Sequence, residues 1–172
     1  MKSKNAVRVV LASLFCTAFL SSPVYSAEAS GKDYAVLPAT AKIEQYNTQL
    51  FNLVDKNSVM AGKKFDKDFA ARFDKLLQAS HVANGPGELK FLKKRLLSGP
   101  APEPVYVTAS GKQYLYYEAC QAHACDETYL SLLFDVDTKV MSGRLVDSGK
   151  SSVLGTPSAQ ELKLLGQLRS AD

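Results

Sequence analysis

Cys120-Gln121-Ala122-His123-Ala124-Cys125 sets two of the chain's three cysteines five positions apart, with one of its two histidines between them. Thiolate and imidazole ligate zinc and copper, thiols exchange disulfides, and imidazole donates or accepts hydrogen bonds near neutral pH. The hexapeptide therefore supports several readings. Cys120, His123 and Cys125 could hold a metal as C-x2-H-x-C, exchange disulfides, present a histidine to a partner, or simply clip a loop on which His123 is exposed. A metal site would crowd three ligands into six residues with no fourth nearby in sequence. A thiol–disulfide catalyst wants C-x-x-C at a helix start.

Other chemistry is sparse. His81, between Ser80 and Val82 at the end of a helical stretch, suits a C-terminal capping role. Asp135 and Asp137 fall in a turn, where aspartates are ordinary. No Ser-His-Asp order, phosphate-binding glycine loop or defensible pair of catalytic carboxylates is present, so the chain reads as a non-enzyme that needs no cofactor.

The elements that must position the hexapeptide follow from periodicity. Ile43, Tyr46, Leu50, Leu53 and Val54 recur at helical spacing, as do Phe65, Phe69, Phe73 and Leu76 or Leu77 beyond the Lys63-Lys64 turn; both stripes read as core. Asn84-Gly85-Pro86-Gly87 breaks the chain. Glu88 to Leu97 then predicts a short helix with Leu89, Leu92 and Leu96 on its packing side and Lys90, Lys93, Lys94 and Arg95 on a solvated face. Ser98-Gly99-Pro100-Ala101-Pro102-Glu103-Pro104 ends it. The period then becomes two. Val105–Thr108 and Gln113–Glu118 flank a hairpin turn at Ala109-Ser110-Gly111-Lys112, Thr128–Phe134 is rich in β-formers, and Val140–Val146 follows the turn 135–139. Ser158 with Glu161 three residues on predicts a capping box opening a last helix packed through Leu162, Leu164, Leu165 and Leu168. The expected fold is α+β: about five hairpin-connected antiparallel strands packed by N-terminal helices and a C-terminal helix. Within a single domain over 30–172, residues 38–99 are mainly helical, 103–154 form the sheet and 158–168 the helix. The cysteine hexapeptide becomes a hairpin tip.

Lys2, Lys4 and Arg8 precede the apolar run Val9 to Leu20 and then small residues, the layout of a secretory signal over 1–26 with cleavage after Ser26 or Ala29. The run is too short for the roughly 20 residues of a spanning helix, so no membrane anchor is expected. Cys16 reads as a discarded signal residue, because Leu14 and Phe15 are too bulky to precede a lipidated cysteine. The full chain carries 21 basic and 17 acidic residues. Residues 1–26 hold three of the basic ones, which leaves 18 against 17. A basic field for nucleic acid is thereby excluded. The remaining charge is segregated: residues 101–172 hold 6 basic and 9 acidic residues, with Glu118, Asp126 and Glu127 beside the hexapeptide as an acidic rim that would attract a basic partner. About 145 residues suffice for a hydrophobic core.

From Arg95 to Leu168 the chain resembles the Ivy family, periplasmic inhibitors of vertebrate (c-type) lysozyme in Gram-negative bacteria. Gly99-Pro100-Ala101-Pro102 resembles the segment ahead of the family's first strand, and Gly111-Lys112-Gln113-Tyr114 its Gly-x-x-Tyr turn. The hexapeptide resembles its Cys-Lys-Pro-His-Asp-Cys signature, followed by Leu130-Ser131-Leu132-Leu133-Phe134-Asp135, Ser142-Gly143-Arg144-Leu145 and Leu154-Gly155-Thr156-Pro157. The resemblance implies a Cys120–Cys125 disulfide in an oxidising compartment, a protruding target-binding loop 120–125, and insertion of His123 between the catalytic carboxylates of lysozyme. Those carboxyls lie about 5 Å apart in a retaining glycosidase, within reach of one imidazole. Here Gln121, Ala122 and Ala124 stand where the family has lysine, proline and aspartate. Two alternatives follow: an Ivy-like protein acting on another peptidoglycan-cleaving enzyme, such as a lytic transglycosylase, or a small periplasmic metal-binding or redox protein using Cys120, His123 and Cys125. Homodimerisation is left open.

Overall fold

The computed structural model describes residues 32–53, 66–80, 83, 85–100 and 102–169. The amino-terminal leader with Cys16, as well as Val54, the Lys63-Lys64 turn, Phe65, His81 and Asn84, lie outside the described residues. The architecture is α+β. A short strand β1 (Ala35–Val36) is followed by helices α1 (Ala41–Glu44), α2 (Gln49–Asn52), α3 (Lys67–Gln78) and α4 (Pro86–Leu96). Strands β2 (Val105–Ala109), β3 (Lys112–Cys120), β4 (Tyr129–Asp135), β5 (Met141–Asp147) and β6 (Lys150–Leu154) follow, and α5 (Ala159–Arg169) comes last. All six strands join one antiparallel sheet in the order β1-β2-β3-β4-β5-β6.

Local chemistry explains the turns. Ser110 and Gly111 both have positive φ, 51° and 76°, and Ser148 and Gly149 repeat the pattern at 51° and 77°. Two such residues make the type I′ turn whose twist matches paired strands, and glycine bears it without strain. Between β4 and β5 the Asp135 carboxylate accepts the N–H groups of Asp137 and Thr138, each at 2.9 Å, and so shapes the turn from inside.

The alternation of β3 and β4 serves two apolar layers. On one face Leu115, Tyr117, Leu130, Leu132 and Phe134 pack against Ile43, Tyr46, Phe69, Phe73, Leu77 and Leu96. On the other, Val107, Tyr114, Tyr116 and Leu133 pack against Leu164, Leu165 and Leu168 of α5. Removing both faces from water supplies the main drive to fold.

The helices bury the stripes read from their spacing, with differences at their ends. α3 begins at Asp66, whose side chain accepts the N–H groups of Asp68 and Phe69 at 2.9 and 3.0 Å; such a cap stabilises a helix by about 1 kcal/mol. α5 is opened by the reciprocal bonds of a capping box, Ser158 N–H to Glu161 at 2.7 Å and Glu161 N–H to the Ser158 hydroxyl at 3.2 Å. α4 starts at Pro86 rather than Glu88, because proline suits the first helical position. The stripe through Ile43, Tyr46 and Leu50 is buried, yet it spans two four-residue helices and a turn. Tyr46 N–H bonds to Ile43 C=O and Gln49 N–H to Tyr46 C=O, the three-residue spacing of a tighter coil. The Tyr117 hydroxyl donates to Tyr46 C=O at 2.8 Å and ties this segment to the sheet.

Candidate functional site

β3 ends at Cys120, which pairs with Tyr129 at the start of β4. Residues 121–128 form the connection, and a disulfide joins Cys120 to Cys125 with Cα atoms 4.9 Å apart. Backbone bonds fold the loop onto itself: Gln121 N–H to Thr128 C=O at 3.0 Å closes its neck, and Ala124 N–H to Gln121 C=O at 3.0 Å turns its tip. Both sulfurs are committed to each other, so neither is available as a thiolate ligand or nucleophile in this state. His123 is exposed, and its side chain makes no hydrogen bond to the described residues. Its φ is +62°. For a residue with a Cβ that left-handed conformation costs on the order of 1 kcal/mol, and histidine is among the side chains enriched there.

Two helices grip the loop from opposite sides. From the end of α4, Arg95 Nε donates to Gln121 Oε1 at 2.7 Å, and Nη2 donates to Thr128 Oγ1 at 3.2 Å and Asp147 Oδ1 at 2.6 Å. The next residues complete the grip. The Ser98 hydroxyl accepts Ala122 N–H at 3.0 Å, and Gly99 N–H bonds to Cys120 C=O at 2.9 Å. From the end of α5, Arg169 donates to Glu118 at 3.2 Å and Cys125 C=O at 3.4 Å, with its guanidinium 4.2 Å from the Tyr129 ring centroid. Glu118 also accepts the Tyr116 hydroxyl. Burial, then that bond, pushes the Tyr116 phenol far above its ordinary range.

The expected site residues are thus placed unequally. Cys120 and Cys125 are bonded, His123 is exposed, and Gln121, Ala122 and Ala124 are half-buried around it. Asp126 and Glu127 are exposed as an acidic rim requires. Glu118 is not part of such a rim: its side chain is 13% exposed and turned toward Arg169. Arg95, read as one of a solvated basic face, is likewise only 24% exposed, because its charge meets Asp147 and the loop. Lys93, from the same face, pairs with Asp74 of α3. Arg95, Ser98, Gly99, Thr128, Asp147 and Arg169 are the residues that sequence reasoning did not place at the site. Their only local signal was the Ser98-Gly99 chain break; the rest depends on contacts across the fold.

The tip is convex. A groove of about 690 Å³ runs beside α4, lined by Asp74, Leu89, Lys90, Lys93 and Lys94 among others, and His123 does not line it. No described helix is long and apolar enough to cross a membrane. Among the described residues no group of three His, Cys, Asp or Glu side chains is arranged to hold a metal ion.

A disulfide-closed loop with an exposed histidine, carried on a sheet covered on both faces, is built as a binding element. Residues 68–164 match the family model described as Inhibitor of vertebrate lysozyme (Ivy), and the chain belongs to this family of non-enzymatic lysozyme inhibitors. The match starts in α3, well ahead of Arg95, so α4 with Arg95 lies within the matched region, whereas Arg169 at the end of α5 lies beyond it. Neither a curated protein nor a solved structure matches the chain.

Proposed function

We propose that the protein is a periplasmic or secreted inhibitor of c-type lysozyme that seats the Cys120–Cys125 loop in the glycosidase cleft and sets His123 between its two catalytic carboxyl groups. The observation that carries this reading is the exposed His123 imidazole, without a hydrogen-bond partner among the described residues, inside a disulfide-closed loop. One carboxyl of a retaining glycosidase is protonated and the other ionised, and a neutral imidazole can accept from the protonated carboxyl and donate its N–H to the ionised one at near-neutral pH. A loop already ordered by its disulfide avoids the entropy cost of ordering on binding. Asp126 and Glu127 flank the tip with negative charge, which would draw in a basic enzyme. The charged amino terminus and short apolar run of residues 1–26 support export, with the mass of the exported protein distinguishing cleavage after Ser26 from cleavage after Ala29.

The test is lysozyme turnover on cell-wall substrate with wild type and His123→Ala. Wild type should inhibit, and the variant should lose at least about 2 kcal/mol of binding, roughly 30-fold, as a central contact does. Equal failure of both to inhibit would remove lysozyme as the target. A lytic transglycosylase is the second reading, favoured by Gln121, Ala122 and Ala124: these uncharged residues leave no charge of their own beside His123. Inhibition of such an enzyme, lost in His123→Ala, would support it.

A further inference from the structure

We propose that Arg95 is the positioning residue of the tip, holding both ends of the loop's neck through Gln121 and Thr128 while Asp147 orients its guanidinium. The proposal rests on the reading of this loop as the inhibitory element, and its geometry stands independently of the target. Arg95 is the one described side chain bonded to Gln121 as the loop leaves β3 and to Thr128 just before β4 begins. Those two residues also share the backbone bond that closes the neck. The third contact, with Asp147 on β5, fixes the guanidinium against a strand next to β4. Thr128 Oγ1 in turn accepts Ser148 N–H at 3.3 Å, so the anchor reaches the β5–β6 turn.

This work needs arginine. A planar fork can meet three acceptors in different directions, whereas a lysine ammonium of equal charge sits on a mobile stem without that fixed geometry. It also needs an acceptor at 121. Glutamine offers its amide oxygen, and a cation there would face the guanidinium. His123 stands two residues beyond Gln121, so a small rotation of the neck is carried to the apex. Displacements of about 1 Å in a binding or reacting group can cost on the order of 100-fold. The disulfide closes residues 120–125 but not the neck at Thr128, where the arginine adds a side-chain brace to the single backbone bond between Gln121 and Thr128.

The experiment compares wild type with Arg95→Lys, Gln121→Leu, Gln121→Glu and the double variant Arg95→Lys/Gln121→Leu in the oxidised protein. Amide hydrogen exchange is read at Ala124 and Thr128, with Leu132 in β4 as the internal reference and lysozyme inhibition measured in parallel. Arg95→Lys and Gln121→Leu should each speed exchange at Ala124 and Thr128 about tenfold and leave Leu132 unchanged, as expected for loss of one charge-assisted bond. The double variant should be no faster than Arg95→Lys alone, because that change already removes the contact to Gln121. Gln121→Glu, which keeps an acceptor for the guanidinium, should retain wild-type protection. Loop exchange unchanged in both single variants, or an equal rise at Leu132, would overturn the proposal. Wild type that fails to inhibit lysozyme would count against the target alone, since the exchange data decide the role of Arg95 by themselves.

Discussion

Replacing Gly99 by alanine tests the junction between α4 and the loop most directly. A Cβ at this position would stand 2.6 Å from Cys120 O, 3.0 Å from Cys120 Sγ and 3.2 Å from Ala122 N. Carbon and oxygen in contact need roughly 3.3 Å or more, so the carbonyl and the added methyl must part by about 0.7 Å. Neither neighbour yields cheaply, because Cys120 is the last residue of β3 and its sulfur is in the disulfide. Overpacking of this kind costs about 1–3 kcal/mol, and the 2.9 Å bond from Gly99 N–H to Cys120 C=O is put at risk for about 1 kcal/mol more. Lower entropy of the unfolded alanine chain returns about 0.5–1 kcal/mol. The net expectation is a loss of about 2 kcal/mol, a fall of roughly 6 °C in Tm for a domain of this size, together with weaker inhibition. Gly87→Ala is the control, since nothing lies within 4 Å of a Cβ there; in the first turn of α4 it should be neutral or stabilise by up to about 1 kcal/mol. Urea and thermal unfolding of the three proteins measure the effect. A Gly99→Ala protein as stable and as inhibitory as wild type would refute the reasoning.

Cys125→Ser should lower stability by about 2 kcal/mol, the chain-entropy value for so short a loop, read as a shift in urea midpoint without change in slope. His123→Gly should be more stable than His123→Ala by about 1 kcal/mol, because both lack the imidazole and only alanine keeps the left-handed cost at φ +62°; equal unfolding midpoints would count against it. Stability should fall with acid. Burial alone would raise the carboxyls of Glu161 and Asp135, but donors from Ser158 and Tyr114 hold Glu161 below its usual 4.5, and donors from Thr138 and Asp137 hold Asp135 below 3.8. Depressed folded values contribute stability that is complete above the unfolded pKa and disappears as pH drops through the folded one. The unfolding free energy should therefore be insensitive to these groups above about pH 5 and decline below about pH 4.5, and Asp135→Asn should flatten part of that decline in a pH series of urea titrations.

Where a pattern repeats within one element, its placement was legible in the residues. Phe69, Phe73, Leu76 and Leu77 stand one turn apart and all are buried. Ser158 and Glu161 form the reciprocal bonds that their spacing announces. Ser110-Gly111 is a turn because its backbone needs two positive φ values. The break between α1 and α2 was hidden, since burial of Ile43, Tyr46 and Leu50 holds equally for a continuous helix and for two tightened turns. β1 has two residues, too few for any period, and Val36 is exposed. The site divided the same way. Cysteine spacing marked the loop, but the acceptors of Arg95 come 26, 33 and 52 residues later in the chain. A basic helical face gives no sign of which member turns inward. Glu118 was misjudged for the same reason, because its partner Arg169 lies on a helix beyond three further strands.

The chain-order pairing of β2 through β6 has a kinetic consequence. Each of these strands meets the one just before or after it, so every closure is short and its entropy cost small. β1 alone must wait for a partner far along the chain. Assembly can therefore begin at the β3–β4 hairpin, bringing Cys120 and Cys125 together on a formed turn before α4 and α5 dock. Higher φ-values at Leu132 than at Leu165 would be the signature of that order. On that order Arg95 and Arg169 would arrive as latches, closing from either side on a tip whose cross-link is already in place.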